Sequence, residues 1–265
     1  MAGNVREWCW NESNENFRFC LGGAYNDPIY KFADAIIFDP FDRSAENGFR
    51  CMQPLPNNTV PAAAYKPIIT KVRDYAKETP VSEEEFLIYK NTLYSYDKSA
   101  LNPVVISRDD TYDEWVHETI GFDAAYSNER MNLHLFLPKN ASGPYQTIIY
   151  FPGSAALFLR EFEYNILLEF VVRSGRAVAL PIYKGTFERN TGLPTNRPDM
   201  SETYRNHVIW WAKDLSRSID YLEMRKDIQK DKIGYYGLSW GAIMGAIFPA
   251  VEERINACVF IDILD

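Results

Sequence analysis

Lys232-Ile233-Gly234-Tyr235-Tyr236-Gly237-Leu238-Ser239-Trp240-Gly241-Ala242-Ile243-Met244-Gly245-Ala246 is the stretch from which the rest of the chain can be placed. A short apolar run (Ile233, Tyr235, Tyr236) meets Gly237-Leu238-Ser239-Trp240-Gly241, and a helix-like run follows. This is G-x-S-x-G at a predicted turn from strand to helix, the setting in which the pattern has physical meaning. Such a turn is strained at the serine, so the residues two before and two after it must be small for strand and helix to pass closely. The strain lifts the Ser239 hydroxyl clear of the backbone and leaves the Trp240 N–H free at a helix start, where it can face a developing oxyanion. A plain glycine-bracketed turn is the competing reading, and the strand–turn–helix context favours Ser239 as a nucleophile.

Moving upstream, Thr147-Ile148-Ile149-Tyr150-Phe151 and Ala177-Val178-Ala179-Leu180-Pro181 read as continuous apolar strands, with a helix-like run from Leu157 to Arg173 between them. Ser201 to Met224 reads as a long amphipathic helix carrying Val208, Ala212, Leu215, Ile219 and Leu222 on one face. Downstream of Ser239, a helix is expected from Trp240 to about Val251, then a strand at Ala257–Ile261. Glu118–Asp123 and Met131–Leu137 alternate and are joined by Ser127-Asn128-Glu129, a hairpin signal. Two antiparallel strands leading into β-α-β-α-β-α-β predict an α/β fold with a mostly parallel sheet and helices on both faces. Val81–Phe86 opens a short helix to about Tyr94, with Ser82 and Glu85 as a capping box.

That order and the G-x-S-x-G turn resemble the α/β-hydrolases, nearest to acetyl-xylan-esterase-like and dienelactone-hydrolase-like members, over about residues 81–265. The resemblance implies a serine esterase that forms an acyl-enzyme on Ser239 with a small ester substrate. It implies a second oxyanion donor from the loop after an early central strand. Here that loop reads Phe151-Pro152-Gly153-Ser154-Ala155, so the backbone N–H groups of Ser154 and Ala155 join that of Trp240 as candidates; a plain turn is the alternative. It also implies an acid and then a histidine after the serine. None of the 26 residues from Trp240 to Asp265 is histidine. Two more β-α units would need about 60 residues, so the acid and histidine are expected beyond Asp265, with the sheet incomplete at its C-terminal end.

The histidines present precede Ser239. His134, between Leu133 and Leu135, and His117 read as solvated or edge residues, and His207 as a helix-surface or cap residue or a substitute base. Asp262 or Asp265 could act as an acid in a variant arrangement, a polar strand end being the alternative. Trp240, Phe158 and Phe187 could line an acyl pocket or belong to the core, and Tyr183–Asp199 could be a lid or substrate loop.

The first 54 residues have no sustained period and read as irregular and turn-rich, too short to bury a core. Gly3-Asn4-Val5-Arg6-Glu7-Trp8, Leu21-Gly22-Gly23-Ala24-Tyr25 and Asp42–Cys51 occur in the order that resembles the C-terminal end of the formylglycine-generating (sulfatase-modifying factor) family. The active members carry a cysteine pair after G-G-x-Y, and Asn26–Asp42 contains no cysteine, so oxidase chemistry is not expected. The resemblance places a structural Ca²⁺ on the carbonyls of Gly3 and Val5 and the carboxylate of Glu7; an ordinary surface carboxylate or cap is the alternative for Glu7. It also makes Met1 an internal methionine. The expected organisation is therefore residues 1–54 from that family, a proline-rich linker or strap over 55–80, and a hydrolase domain over 81–265, with N- and C-terminal parts of the same polypeptide missing.

A net charge of -8 argues against nucleic acid as a partner. No apolar run is long enough to span a bilayer and no signal peptide follows Met1. Four cysteines without C-x-x-C spacing fit a reduced, cytoplasmic setting. Without a triad the chain is expected to turn over poorly, and its open sheet edge to favour aggregation. The alternative function is a non-catalytic binding or regulatory module of a multidomain signalling protein, kinase-linked as fusions in the resembling families suggest.

Overall fold

Runs of alternating and continuous apolar residues become strands where a neighbour covers them, and in the computed structural model this happens twice. The structure describes residues 3–13, 16–27, 31–32, 34–57, 59–69, 74–162, 166–193, 195–198 and 200–261. The chain divides into two compact units, Met1–Pro80 and Val81–Asp265.

The first unit is more regular than its sequence suggests. Strands β1 (Arg6–Glu12), β2 (Arg18–Leu21), β3 (Ile36–Phe38) and β4 (Asn47–Gly48) form a sheet in the order β3-β2-β1-β4. Strands β2, β3 and β4 carry too few residues to show a period, so pairing across loops reveals them. Phe19, Cys20 and Ala24 are buried, and Arg6 is clamped to Asp27 by two hydrogen bonds of 2.8 and 2.6 Å. The proline-rich stretch straps β1: Asn11 Nδ2 donates to Ala64 O at 3.1 Å, and Ile68 N to Glu12 O at 2.8 Å.

In the second unit, α1 (Glu83–Tyr89) starts at Ser82, whose hydroxyl accepts from Glu85 N at 3.2 Å, and continues as a wider turn through Tyr94. The sheet has seven strands: β5 (Val104–Asp109), β6 (Trp115–Asp123), β7 (Arg130–Pro138), β8 (Tyr145–Phe151), β9 (Ala177–Pro181), β10 (Ile228–Leu238) and β11 (Ile255–Ile261). Their order is β11-β10-β8-β9-β7-β6-β5. Strands β8 to β11 are parallel, and β7, β6 and β5 extend the sheet antiparallel. The sheet is thus mixed, with three antiparallel strands rather than two. The extra one, β5, exposes Val104, Val105 and Ile106, so no in–out alternation marks it.

Alternate residues of β7 and β9 enter two cores. Leu133, Leu135, Ala177 and Ala179 face the side packed by α3 (Glu202–Met224), while Phe136, Val178 and Leu180 face α2 (Ile166–Arg173). Helices therefore cover both faces. Two helices are shorter than their hydrophobic runs suggest. Only one 3-10 turn, Ser154–Leu157, precedes α2 in the described part of 157–173. The helix after Ser239 divides into α4 (Trp240–Met244) and α5 (Phe248–Val251), with Pro249 in the first turn of α5 unable to donate back to a preceding turn.

Candidate active site

Ser239 sits where β10 ends and α4 begins, at φ +50° and ψ −109°. A non-glycine residue there is strained. It is held from both sides: Ser239 N donates to Ile261 O at 2.7 Å, and Ser239 O accepts from Ala242 N at 2.8 Å and Ile243 N at 3.1 Å. The flanking glycines answer the steric requirement read from the sequence. A Cβ on Gly237 would lie 2.3 Å from Gly241 O, and one on Gly241 would lie 2.2 Å from Phe151 O. Tyr235 secures the same crossing by donating its buried hydroxyl to Gly241 O at 2.6 Å.

Trp240 divides its work. Its indole is fully buried, edge-on to Phe151 (5.0 Å) and Trp211 (4.7 Å), so it belongs to the core. Among the described residues its backbone N–H has no backbone acceptor and its buried Nε1 has no partner. The register of β8 on β10 pairs Phe151 with Gly237, which brings the loop after β8 alongside the serine. A Cβ on Gly153 would stand 3.7 Å from Ser239 Cβ. The 3-10 turn begins immediately after Gly153, and among the described residues the N–H groups of Ser154 and Ala155 have no backbone acceptor. The loop that leads into Ser154 and Ala155 thus passes beside Ser239.

The three histidines are engaged elsewhere. His207 is buried rather than on the helix surface: Nδ1 meets Thr203 O at 2.8 Å and Nε2 meets Thr191 Oγ1 at 3.0 Å. Burial lowers its pKa, with Thr203 opposing and Lys184 adding to the fall. His134 is not at an edge, because β7 lies between β6 and β9. Its Nδ1 meets His117 Nε2 at 2.9 Å, and its Nε2 stands 3.8 Å from Glu188. Burial, and next the neighbouring His134, hold His117 down to about 4. Asp262 and Asp265 lie outside the described residues, as do Pro194 and Asp199 of the candidate loop. Phe187 is buried core, whereas Phe158 is exposed.

The calcium candidates lie in the first unit. Glu7 Oε1 is bound by Arg50 Nε at 2.7 Å in a partly exposed ion pair. Among the described residues no group of three or more His, Cys, Asp or Glu could hold a metal.

Sequence reasoning missed the polar network under the loop after β9. Asp214, fully buried on α3, accepts from Tyr126 Oη (2.9 Å), Lys184 N (2.9 Å) and Arg189 Nη1 (2.8 Å). Burial opposes charge on Arg189, and Asp214 more than restores it, so its pKa is raised. The available signal was spacing: Asp214 lies between Trp211 and Ser218 on the buried stripe of α3.

Comparison with known proteins bears on the fold. The chain is similar to acetyl xylan esterase 1 from a Thermoanaerobacterium species, with a TM-score of 0.52, 16% identity, and coverage of 66% of this chain and 57% of that one. The fold is of the α/β-hydrolase type. A Bacteroides fragilis structure described as an acetyl xylan esterase matches with a TM-score of 0.50 and 15% identity, over 66% of this chain and 51% of that one. The chain therefore spans little more than half the length of either. A Bacillus subtilis protein named as a hydrolase, YtaP, is 37% identical over 54 residues, 20% of this chain and 18% of the relative. No family model matches the chain. Among the described residues no helix is long and apolar enough to cross a membrane.

Proposed function

We propose that Ser239 is the nucleophile of an esterase-type hydrolase acting on a small ester. Its hydroxyl oxygen attacks the carbonyl carbon, the proton passes to a base, and the carbonyl oxygen becomes an oxyanion. The N–H groups of Trp240 and of Ser154 or Ala155 face that oxygen. Collapse of the adduct breaks the bond to the alcohol and leaves an acyl-serine, which water then cleaves. The single observation that carries this reading is the backbone of Ser239, held in a strained conformation between two glycines that admit no side chain. The acetyl esterase names of the structural neighbours make a short acyl group the first to try.

None of the three histidines is the base in this reading, since each imidazole is engaged by other partners. The base and its orienting acid are to be sought outside the described residues. The same observation supports a second reading, a binding or regulatory module that retains the hydrolase scaffold. A fluorophosphonate probe separates the two: covalent labelling that Ser239→Ala abolishes supports the nucleophile, and equal labelling of both proteins refutes it. We read the first unit as the end of a formylglycine-generating-type domain without its oxidase chemistry. Cys20 there is fully buried, and burial followed by Cys9 pushes its thiol up to about 11, which keeps it protonated and inert.

A further inference from the structure

We propose that Phe187–Asn190 is a fixed strut that positions the oxyanion turn, with Asn190 as the positioning residue; this rests on the reading of Ser239 as a nucleophile. The strut follows β9, whose C-terminal end lies beside those of β8 and β10 in a parallel array, so it stands at the same end of the sheet as Ser239. Each of its residues is fixed to a different element. Phe187 is buried at φ +45°, a strained conformation for an aromatic residue, and packs in one core cluster with Ala156 of the oxyanion turn. Glu188 reaches back to β7, accepting from Asn132 Nδ2 at 3.4 Å and lying 3.8 Å from His134. Arg189 is tied to α3 through Asp214 and to the β6–β7 hairpin through Tyr126 Oη at 2.9 Å.

Asn190 makes the contact that matters for the site. Its Nδ2 donates to Leu157 O, the last residue of the 3-10 turn whose first N–H groups are the proposed oxyanion donors. Its Oδ1 accepts from Gly192 N at 2.8 Å, which fixes the amide's orientation. The turn is therefore held at its far end by a side chain from another segment, 33 residues away in sequence. Strain is retained only where surrounding contacts over-determine it, and Phe187, with anchors on three sides, meets that condition. The part of the predicted lid that the structure describes here is a rigid wall. Its function is to keep the Ser154 and Ala155 donors at a set distance from the oxygen that forms on the substrate.

Asn190→Ala and the isosteric non-donor Asn190→Asp test this in the whole chain with a fluorophosphonate probe. Misplaced donors slow the covalent step without changing the approach of the probe, so kinact should fall about tenfold or more while KI stays within about twofold. Asn140→Ala is the matched control. It removes a similar amide-to-carbonyl bond, Asn140 Nδ2 to Arg173 O at 2.7 Å, before the start of β8 and so away from the site. It should leave labelling unchanged. Hydrogen exchange at Ser154–Phe158 gives a second readout, independent of reactivity, and should quicken in both Asn190 variants. Wild-type kinact in a folded Asn190→Ala or Asn190→Asp overturns the strut. If the wild-type chain is not labelled at all, exchange alone decides the strut: unchanged protection overturns it, lost protection sustains it.

Discussion

At Ser239 two glycines do different work, and their substitutions should separate. A methyl group on Gly237 would stand 2.3 Å from the carbonyl oxygen of Gly241, which is backbone and has nowhere to go. Gly237→Ala should therefore cost about 2–3 kcal/mol, read by urea unfolding. A methyl group on Gly153 would meet Ser239 Cβ at an ordinary 3.7 Å, and Gly153 has an unstrained φ of −71°. Gly153→Ala should unfold within about 0.5 kcal/mol of wild type yet react more slowly with a fluorophosphonate, because the added methyl crowds the nucleophile. The glycines of G-x-S-x-G were legible because their requirement is local. The indole of Trp240 was not, because its burial depends on Phe151 and Trp211, which the chain brings in from 89 and 29 residues away.

At the scale of elements, α3 carries a hidden charge and β6–β7 a hidden imidazole pair. Asp214→Ala would leave Arg189 buried without its main partner, at a cost of about 3–5 kcal/mol, measurable by denaturant midpoint. Asp214→Asn keeps one acceptor oxygen, enough for Lys184 N, and turns the position that accepts from Tyr126 Oη into a donor that the phenol oxygen can accept from; it should cost less than Asp214→Ala. The pair on β6 and β7 makes stability sensitive to acid. His117 titrates near 4 in the folded chain, against about 6.5 when unfolded. The unfolded chain thus binds the extra proton between those values. The contribution is complete above pH 6.5 and is lost as pH falls toward 4. Its size is at most about 3 kcal/mol, less whatever solvent screening removes. Asp109 and Glu188 face the pair and His134 shares it, so the test is a comparison of melting profiles: His117→Gln should flatten the acid limb between pH 6.5 and 4. The alternation that put His134 opposite Leu133 and Leu135 was correct. What covers that face, the Phe162 ring at 5.5 Å and Glu188, was not visible in it.

The two units of the whole molecule differ in how much of them the chain announces. In the second, β11 pairs with β10 alone among the described residues, and it exposes Val259 (54%), Phe260 (41%) and Ile261 (41%). An apolar edge strand with unpaired backbone groups templates further pairing. The purified chain should associate as its concentration rises, and Val259→Lys should suppress that association in light scattering without lowering the unfolding midpoint. A monodisperse wild-type monomer would contradict this. In the first unit β2, β3 and β4 are so short that neither period nor composition marked them, and the sheet becomes visible only when Arg6, Trp8 and Phe19 are seen against Asp27, Cys20 and Ile37.

By itself, the sequence determined whatever depends on neighbours a few residues apart: the capped start at Ser82, the stripe of α3, the buried runs of β8 and β9, and the steric demand around Ser239. The stripe follows the 3.6-residue period of a helix, and the others follow from composition or contacts within a few residues. Tertiary structure alone decided that Tyr126 meets the buried Asp214 and that Asn190 closes on Leu157 O in the turn after β8. Those outcomes depend on side chains meeting across 33 to 88 residues of chain, as Asn190 meets Leu157 and Tyr126 meets Asp214, and no local pattern encodes which distant segment closes over a given face.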